Sequence, residues 1–234
     1  WVNGVYWLRV LERQPDGLLL VENVYDVGKT KVKRVEALIE PDLVYPLLRG
    51  RDISRWKATP SAYILMVQDP EKRTGYEESW LKVNYPNTYG YLKQFEEVLR
   101  QRSGYKKYFD SDKDAFYSMY DVAEYTFAPY TVMWRQMVEH LQAVVTGPIH
   151  DRFLGLRTPV TQHVVTIVPF TNRLEAHYFC ALVNSTAARL ISASYSTSKS
   201  YGTPTVLEHV AIPEFDPSNA LHQSLASLSR RAHQ

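Results

Sequence analysis

Between Asn84 and Arg102 apolar side chains recur three and four residues apart, at Tyr91, Leu92, Phe95, Val98 and Leu99. Lys93, Gln94, Glu96, Glu97, Arg100 and Gln101 fall between them, so the spacing predicts one long helix with an apolar stripe and a solvated remainder. Pro86 suits its first turn, where a missing N–H costs nothing, and Arg100 and Arg102 suit its last turn, at the negative end of the helix dipole. Ser103-Gly104 is then expected to let the chain turn away. Ahead of this helix, Gly4 to Leu11 and Leu18 to Val24 read as two strands around the turn residues Gln14-Pro15-Asp16-Gly17, and so as a hairpin. Lys31 to Glu36 alternates as a third strand. Leu43 to Leu48, interrupted by Pro46, reads as an edge strand or an extended loop, and Ala62 to Val67 as another short strand. Behind the helix, Tyr130 to Arg135, Ala143 to Val145 and Val164 to Val168 have strand composition. Arg173 to Ser192 returns to helical spacing, apolar over much of its circumference, and predicts a well-buried helix. Leu207 to Ile212 reads as a last strand, and Asp216-Pro217-Ser218 opens a terminal helix to Ala232. Strands in groups with few helices predict an α+β fold, a mixed β-sheet with one long central helix and a buried late helix.

Composition narrows the class. A chain of 234 residues, 45% of them hydrophobic, is long enough to bury a substantial core. It holds a single cysteine, Cys180, which has no partner for an internal disulfide and points to a reducing, cytoplasmic setting. No apolar run approaches the length of a membrane span and no signal-peptide pattern opens the chain. The sequence starts at Trp1 rather than Met and is read as an excerpt of a longer protein. Net charge is only +2, yet the cations are clustered. Lys29, Lys31, Lys33 and Arg34 form one group, Arg49, Arg51, Arg55 and Lys57 a second, and Arg100, Arg102, Lys106 and Lys107 a third. Carboxylates gather at Asp110, Asp112, Asp114, Asp121 and Glu124. Such segregation allows a basic face on a nearly neutral protein.

Catalytic patterns are missing from the sequence. The seven histidines are scattered, with no Cys-x-x-Cys and no His-x-x-x-His, so no metal site is expected. Asp110, Asp112 and Asp114 alternate as in a calcium loop, but the glycine and the later glutamate are not at the offsets such a loop needs. His177 lies one helical turn from Cys180, where a buried structural thiol is the expectation. Neither a GxGxxG nor a P-loop lysine occurs. What remains is a set of cations in loops beside aromatics and hydroxyls. Arg49-Gly50-Arg51-Asp52 with Arg55-Trp56-Lys57 is one such segment. Ser196 to Thr203, with Lys199, Tyr201 and Gly202 at its centre, is another. Such groups reach phosphate oxygens and the edges of guanine. Arg51 and Asp52 equally suit a structural ion pair that pins the loop.

The order of segments resembles a known family. Ile39-Glu40-Pro41-Asp42-Leu43-Val44-Tyr45-Pro46-Leu47-Leu48-Arg49-Gly50-Arg51-Asp52-Ile53 is similar to the entry segment of the C-terminal specificity domain of adenine-modifying DNA methyltransferases, the TaqI-like and type IIG restriction-modification group. Tyr85-Pro86 through Tyr91-Leu92, Phe95 and Leu99 to Arg102 resembles the helix that follows there. Phe127 to Arg135 is similar to its next strand, and Ala181-Leu182-Val183-Asn184-Ser185 with Ile212-Pro213 to its late helix and closing strand. The similarity runs in order over most of Glu36 to Gln234. It implies a double-stranded DNA target-recognition domain at 36–234, joined through a hairpin at 1–35 to a methyltransferase domain in cis. The family's glycine-rich cofactor motif and Asn-Pro-Pro-Tyr loop do not occur here. S-adenosylmethionine would therefore belong to that other domain, with the adenine flipped into it, and no cofactor is expected in this fragment. Arg49, Arg51, Arg55, Lys57, Lys106, Lys107, Lys199 and Tyr201 are the expected DNA-binding residues. Two readings of other classes stay open: a stand-alone nuclease holding magnesium on Asp110, Asp112 or Asp114, and a protein-interaction module using the aromatic surface.

Overall fold

The computed structural model describes residues 2–138, 140–195 and 204–234. The chain is α+β, with a mixed sheet, as its pattern predicts. It folds as two compact units that share the sequence in alternation. Unit 1 comprises 1–47, 62–127 and 149–160, and unit 2 comprises 48–61, 128–148 and 161–234. The expected joint at 1–35 contributes two of the strands of unit 1.

In unit 1, β1 (Trp7–Arg13), β2 (Leu19–Asn23), β3 (Glu36–Ile39), β4 (Val44–Leu48) and β5 (Ala62–Leu65) are the longer strands of one sheet, in the order β4-β5-β1-β2-β3. The expected hairpin is present: Arg13 faces Leu19 across the turn, and Gly17, at φ 93, supplies the left-handed residue that the turn requires. Three boundaries differ. Asn3–Tyr6 is a helical turn and not the start of β1, the third strand begins at Glu36 where the Lys31–Glu36 expectation ends, and β5 stops at Leu65. Pro46 sits opposite Tyr63 inside β4.

The long central helix is corrected. It is a chain of short helices: α1 (Glu78–Asn84), α2 (Pro86–Lys93), α3 (Glu96–Arg100) and α4 (Ser103–Tyr108). Pro86 does open α2, but its ring also drives Tyr85 out of the helical region, to φ −139 and ψ 62. At the next break the Phe95 N–H donates to the Leu92 carbonyl, three residues back rather than four, which tightens the turn. The apolar stripe survives both breaks, because Tyr91, Leu92, Phe95 and Leu99 are all buried. Ser103-Gly104 opens α4 instead of releasing the chain. A core tyrosine ties α2 down, Tyr91 donating to the Val5 carbonyl at 2.5 Å.

In unit 2, β6 (Tyr130–Arg135) is the centre of a three-stranded sheet between β7 (Val144–Thr146) and β8 (Val165–Phe170). Its bounds are those its composition predicts. Pro169 falls on β8, an edge strand, where a missing donor is tolerated. The buried late helix is two helices, α5 (Arg173–Val183) and α6 (Thr186–Tyr195). The break follows from Asn184, whose amide donates to the Ala143 carbonyl and accepts from the Ala143 N–H, both at 2.8 Å. That reciprocal pair holds the helix end to the chain leading into β7. Ala176, Cys180 and Val183 of α5 pack on Val132, Trp134, Leu141 and Ala143. The segment expected as a last strand, Leu207–Ile212, instead starts within a 3-10 helix over Pro204–His209. The terminal helix α7 (Ala220–Ala232) is capped by Asn219, which accepts from the Leu221 and His222 N–H groups.

Candidate nucleic-acid interface

The segment 49–61 of unit 2 contains four of the expected DNA-binding residues, and the structure separates them into one pin and three projecting cations. Arg49 is the pin. Its side chain is 8% exposed and that of Asp52 is 5% exposed, with Nε 3.3 Å from Oδ2. The same Oδ2 accepts the Arg49 backbone N–H at 2.8 Å, while Oδ1 accepts from the Ser61 hydroxyl, which in turn accepts from Arg49 Nη2. Arg49 therefore closes the base of the loop and is withdrawn as a DNA contact. A buried guanidinium already held by a carboxylate and a hydroxyl is not presented to a ligand. The ion pair foreseen between Arg51 and Asp52 exists only at 4.0 Å, with the Arg51 side chain 70% exposed.

Beyond Arg49 the chain forms a two-residue hairpin. Ile53 pairs with Ala58 and Ser54 with Lys57, leaving Arg55 and Trp56 at the tip. Trp56 takes φ 66, a conformation a bulky residue adopts only when its surroundings impose it. Here they do: its N–H donates to the Ala143 carbonyl at 3.1 Å, and its ring meets the His233 ring edge-on at 5.3 Å. With the tryptophan turned inward, Arg55 and Lys57 are exposed on either side of it. Among the described residues no carboxylate stands within 4.0 Å of either. At the foot of the loop, a methyl group on Gly50 would meet the stem of Arg135 at 3.6 Å, so Arg135 runs directly beneath the backbone there. Its Nε is buried and has no hydrogen-bond partner among the described residues. Arg135 is a further cation beside this loop, half-buried, that the sequence pattern alone does not single out. The available signal was its position, the last residue of a correctly bounded strand and the first charged residue after an apolar run.

Anchoring of this hairpin depends on a polar cluster under α5. His233 donates from Nδ1 to the Ser229 carbonyl at 2.7 Å and accepts the Val145 N–H on Nε2 at 2.9 Å, which fixes it as the neutral Nδ1–H tautomer. His177 Nδ1 lies 3.2 Å from the Ser229 hydroxyl and its ring is edge-on to His233 at 4.9 Å. Burial, with His233 and Arg173 adding, pushes the His177 pKa down to about 4. Burial pushes the Cys180 thiol up to about 12 against hydrogen bonds from Ser229 and Asn184, so the thiol is inert, as a structural cysteine is.

In unit 1, Lys106 and Lys107 are both exposed on α4. Lys107 lies over the ring of Tyr108 at 5.0 Å, and Tyr108 is stacked on Tyr120 at 5.1 Å. These groups border a pocket of about 360 Å³ whose other walls include Thr30, Arg102 and Tyr105. Arg102 is engaged in the frame, donating to the carbonyls of Leu99 and Phe116 and to the Tyr6 hydroxyl. Lys199 and Tyr201 lie outside the described residues. Asp110 accepts the Asp112 N–H and pairs with Lys113, and Asp114 accepts the Asp110 N–H. Among the described residues no group of three His, Cys, Asp or Glu side chains is placed to hold a metal ion, and no helix is long and apolar enough to cross a membrane. No protein-family model matches the chain, and no curated protein matches it.

Proposed function

We propose that this chain is a DNA target-recognition domain of an N6-adenine methyltransferase or restriction-modification enzyme, acting on double-stranded DNA beside a methyltransferase domain that binds S-adenosylmethionine. The observation that carries the DNA-binding part is the hairpin of unit 2. Arg51, Arg55 and Lys57 project from seven consecutive positions of a backbone held by Asp52 at one end and by Trp56 at the other. A cationic loop fixed in advance loses little freedom on meeting a phosphate backbone, and it brings its donors as a set. The methyltransferase part of the reading rests on the ordered sequence resemblance.

Fluorescence anisotropy of a labelled duplex tests this. Three phosphates neutralised by Arg51, Arg55 and Lys57 give a salt slope of about −2.7, so affinity falls roughly forty-fold between about 50 and about 200 mM salt. Each alanine substitution removes about 0.9 from that slope. A residue that reads guanine behaves differently: its loss costs ~1–3 kcal/mol and relaxes preference at one base pair. Duplex binding that is absent, or that keeps its slope in the triple variant, overturns the proposal.

A further inference from the structure

A second recess in unit 1, about 350 Å³, has the walls of an aromatic cage. Tyr45, Tyr76 and Phe127 line it, with Leu43 and Gln68 beneath and Glu124 at its margin. The Tyr45 and Phe127 rings are 5.3 Å apart and inclined at 54°, so they make a corner and not a parallel slot. Tyr76 is itself braced by Trp80, with centroids 4.6 Å apart. Gln68 is fully engaged in the frame, donating to the Val67 and Tyr117 carbonyls and accepting the Met119 N–H, so it is a floor and not a ligand group.

We propose that this recess binds an organic cation, a methylated ammonium head seated against the faces of Tyr76 and Phe127 with Tyr45 closing the corner and Glu124 as counter-charge. Three observations favour a cation over a nucleobase or a phosphate. Inclined rings enclose a compact head from several sides, whereas a flat base needs parallel walls. The charged group in the lining, Glu124, is a carboxylate and repels phosphate. Among the described residues, the charges that bear on Tyr76 and Tyr45, taken with Glu124, are more often carboxylates than cations. Burial raises the Tyr76 hydroxyl pKa and nearby Asp69 adds to it, while at Tyr45 Arg157 opposes the rise that burial and Asp42 produce. Three carboxylates thus stand against one guanidinium. That guanidinium already lies over Tyr45, at 5.2 Å, so the ligand's principal contacts are Tyr76 and Phe127. Electron-rich ring faces attract a desolvated ammonium most strongly in such an enclosure. The inference is independent of the DNA reading.

Choline and its neutral isostere, in which carbon replaces the ammonium nitrogen, have the same shape and separate charge from size. Titrating each into the full chain and following the tyrosine side-chain resonances by NMR, we expect choline to bind about tenfold more tightly than the isostere. Glu124→Gln, at an exposed position, should weaken choline several-fold and leave the isostere unchanged. A trimethyllysine peptide run beside its unmethylated counterpart distinguishes the source of the head. Binding tighter than choline assigns it to a protein side chain, and equal binding to a free ammonium compound. Equal affinity for choline and its isostere, or no shift up to about 50 mM choline, would overturn the proposal.

Discussion

Replacing Asp52 with alanine removes the one carboxylate that closes the base of the hairpin loop. Three donors lose their acceptor at once: the Arg49 backbone N–H at 2.8 Å, the Arg49 Nε at 3.3 Å, and the Ser61 hydroxyl. The first loss resembles the removal of a helix cap, since Asp52 is the third residue of the turn that Arg49 opens, and costs ~1 kcal/mol. The second dominates. The Arg49 side chain is 8% exposed, and a buried guanidinium left without its carboxylate costs ~3–5 kcal/mol. The two are not independent, so the variant should lose about 3–5 kcal/mol in all, on the order of 10 °C in melting temperature. Arg51→Ala is the control. That side chain is 70% exposed and reaches Asp52 only at 4.0 Å, so its loss should stay within about 0.5 kcal/mol. Urea unfolding followed by circular dichroism measures both. A stability change in Asp52→Ala no larger than that of Arg51→Ala would refute the assignment of Arg49 as a structural pin. Arg49→Ala, which leaves Asp52 buried and unpaired, should fall with Asp52→Ala and not with Arg51→Ala.

Other outcomes follow from the same geometry. Glu40 accepts from the backbone N–H groups of Asn87 and Thr88 and from both their side chains, so it caps α2 from a distant part of the chain, and Glu40→Ala should cost about 1–2 kcal/mol in the same unfolding assay. Burial alone would raise its pKa, but those hydrogen bonds outweigh it and hold the carboxyl below its usual range. Its contribution is therefore complete above the unfolded value and lost as pH falls through the lower folded one. Asn184→Ala breaks both bonds to Ala143 and leaves its buried N–H unpaired, while the carbonyl keeps the Trp56 N–H, a loss of about 1–3 kcal/mol of which Asn184→Ser should recover little. His177 takes up a proton in the unfolded chain near pH 6.5 but in the folded one only near about 4, so its contribution is present above 6.5 and declines as pH falls toward 4, by roughly 2–3 kcal/mol. His177→Asn should flatten that slope in acid titrations monitored by near-ultraviolet circular dichroism, leaving the smaller share due to His233, whose pKa is also lowered.

Most of the fold was legible where one local signal decided it. The hairpin of β1 and β2 declared itself through its turn residues, and β6 through five successive aromatic, apolar and β-branched positions that need no distant partner to be recognised. The failures lie where tertiary contacts override a correct local period. The stripe of Tyr91, Leu92, Phe95 and Leu99 is real, yet a helical period does not report an axis that bends at Tyr85 and Phe95 while keeping the same face inward. Likewise α5 ends at Asn184 because Ala143, forty-one residues earlier, offers both a donor and an acceptor. Leu207 to Ile212 has strand composition, but strand composition fixes a strand only when a neighbour is there to pair with it.

The candidate site shows the same division with more consequence. Sequence placed four cations within nine residues, and nothing local distinguishes Arg49 from Arg51: each precedes or follows Asp52 closely enough to pair with it. The choice is made by Ser61, twelve residues past Arg49, whose hydroxyl bridges guanidinium and carboxylate and so selects the inner arginine for the pin. Once Arg49 has taken Asp52, Arg51 has no carboxylate left at full contact, and its charge is left facing solvent at 70% exposure. The inward turn of Trp56 does the same for the tip, since a tryptophan packed on His233 forces its two neighbours outward. If the loop binds DNA as proposed, its affinity is set in part by Ser61 and Trp56, neither of which need touch the phosphate. Substituting Trp56 should weaken duplex binding without changing its salt slope, because the cations remain but are no longer held as a set.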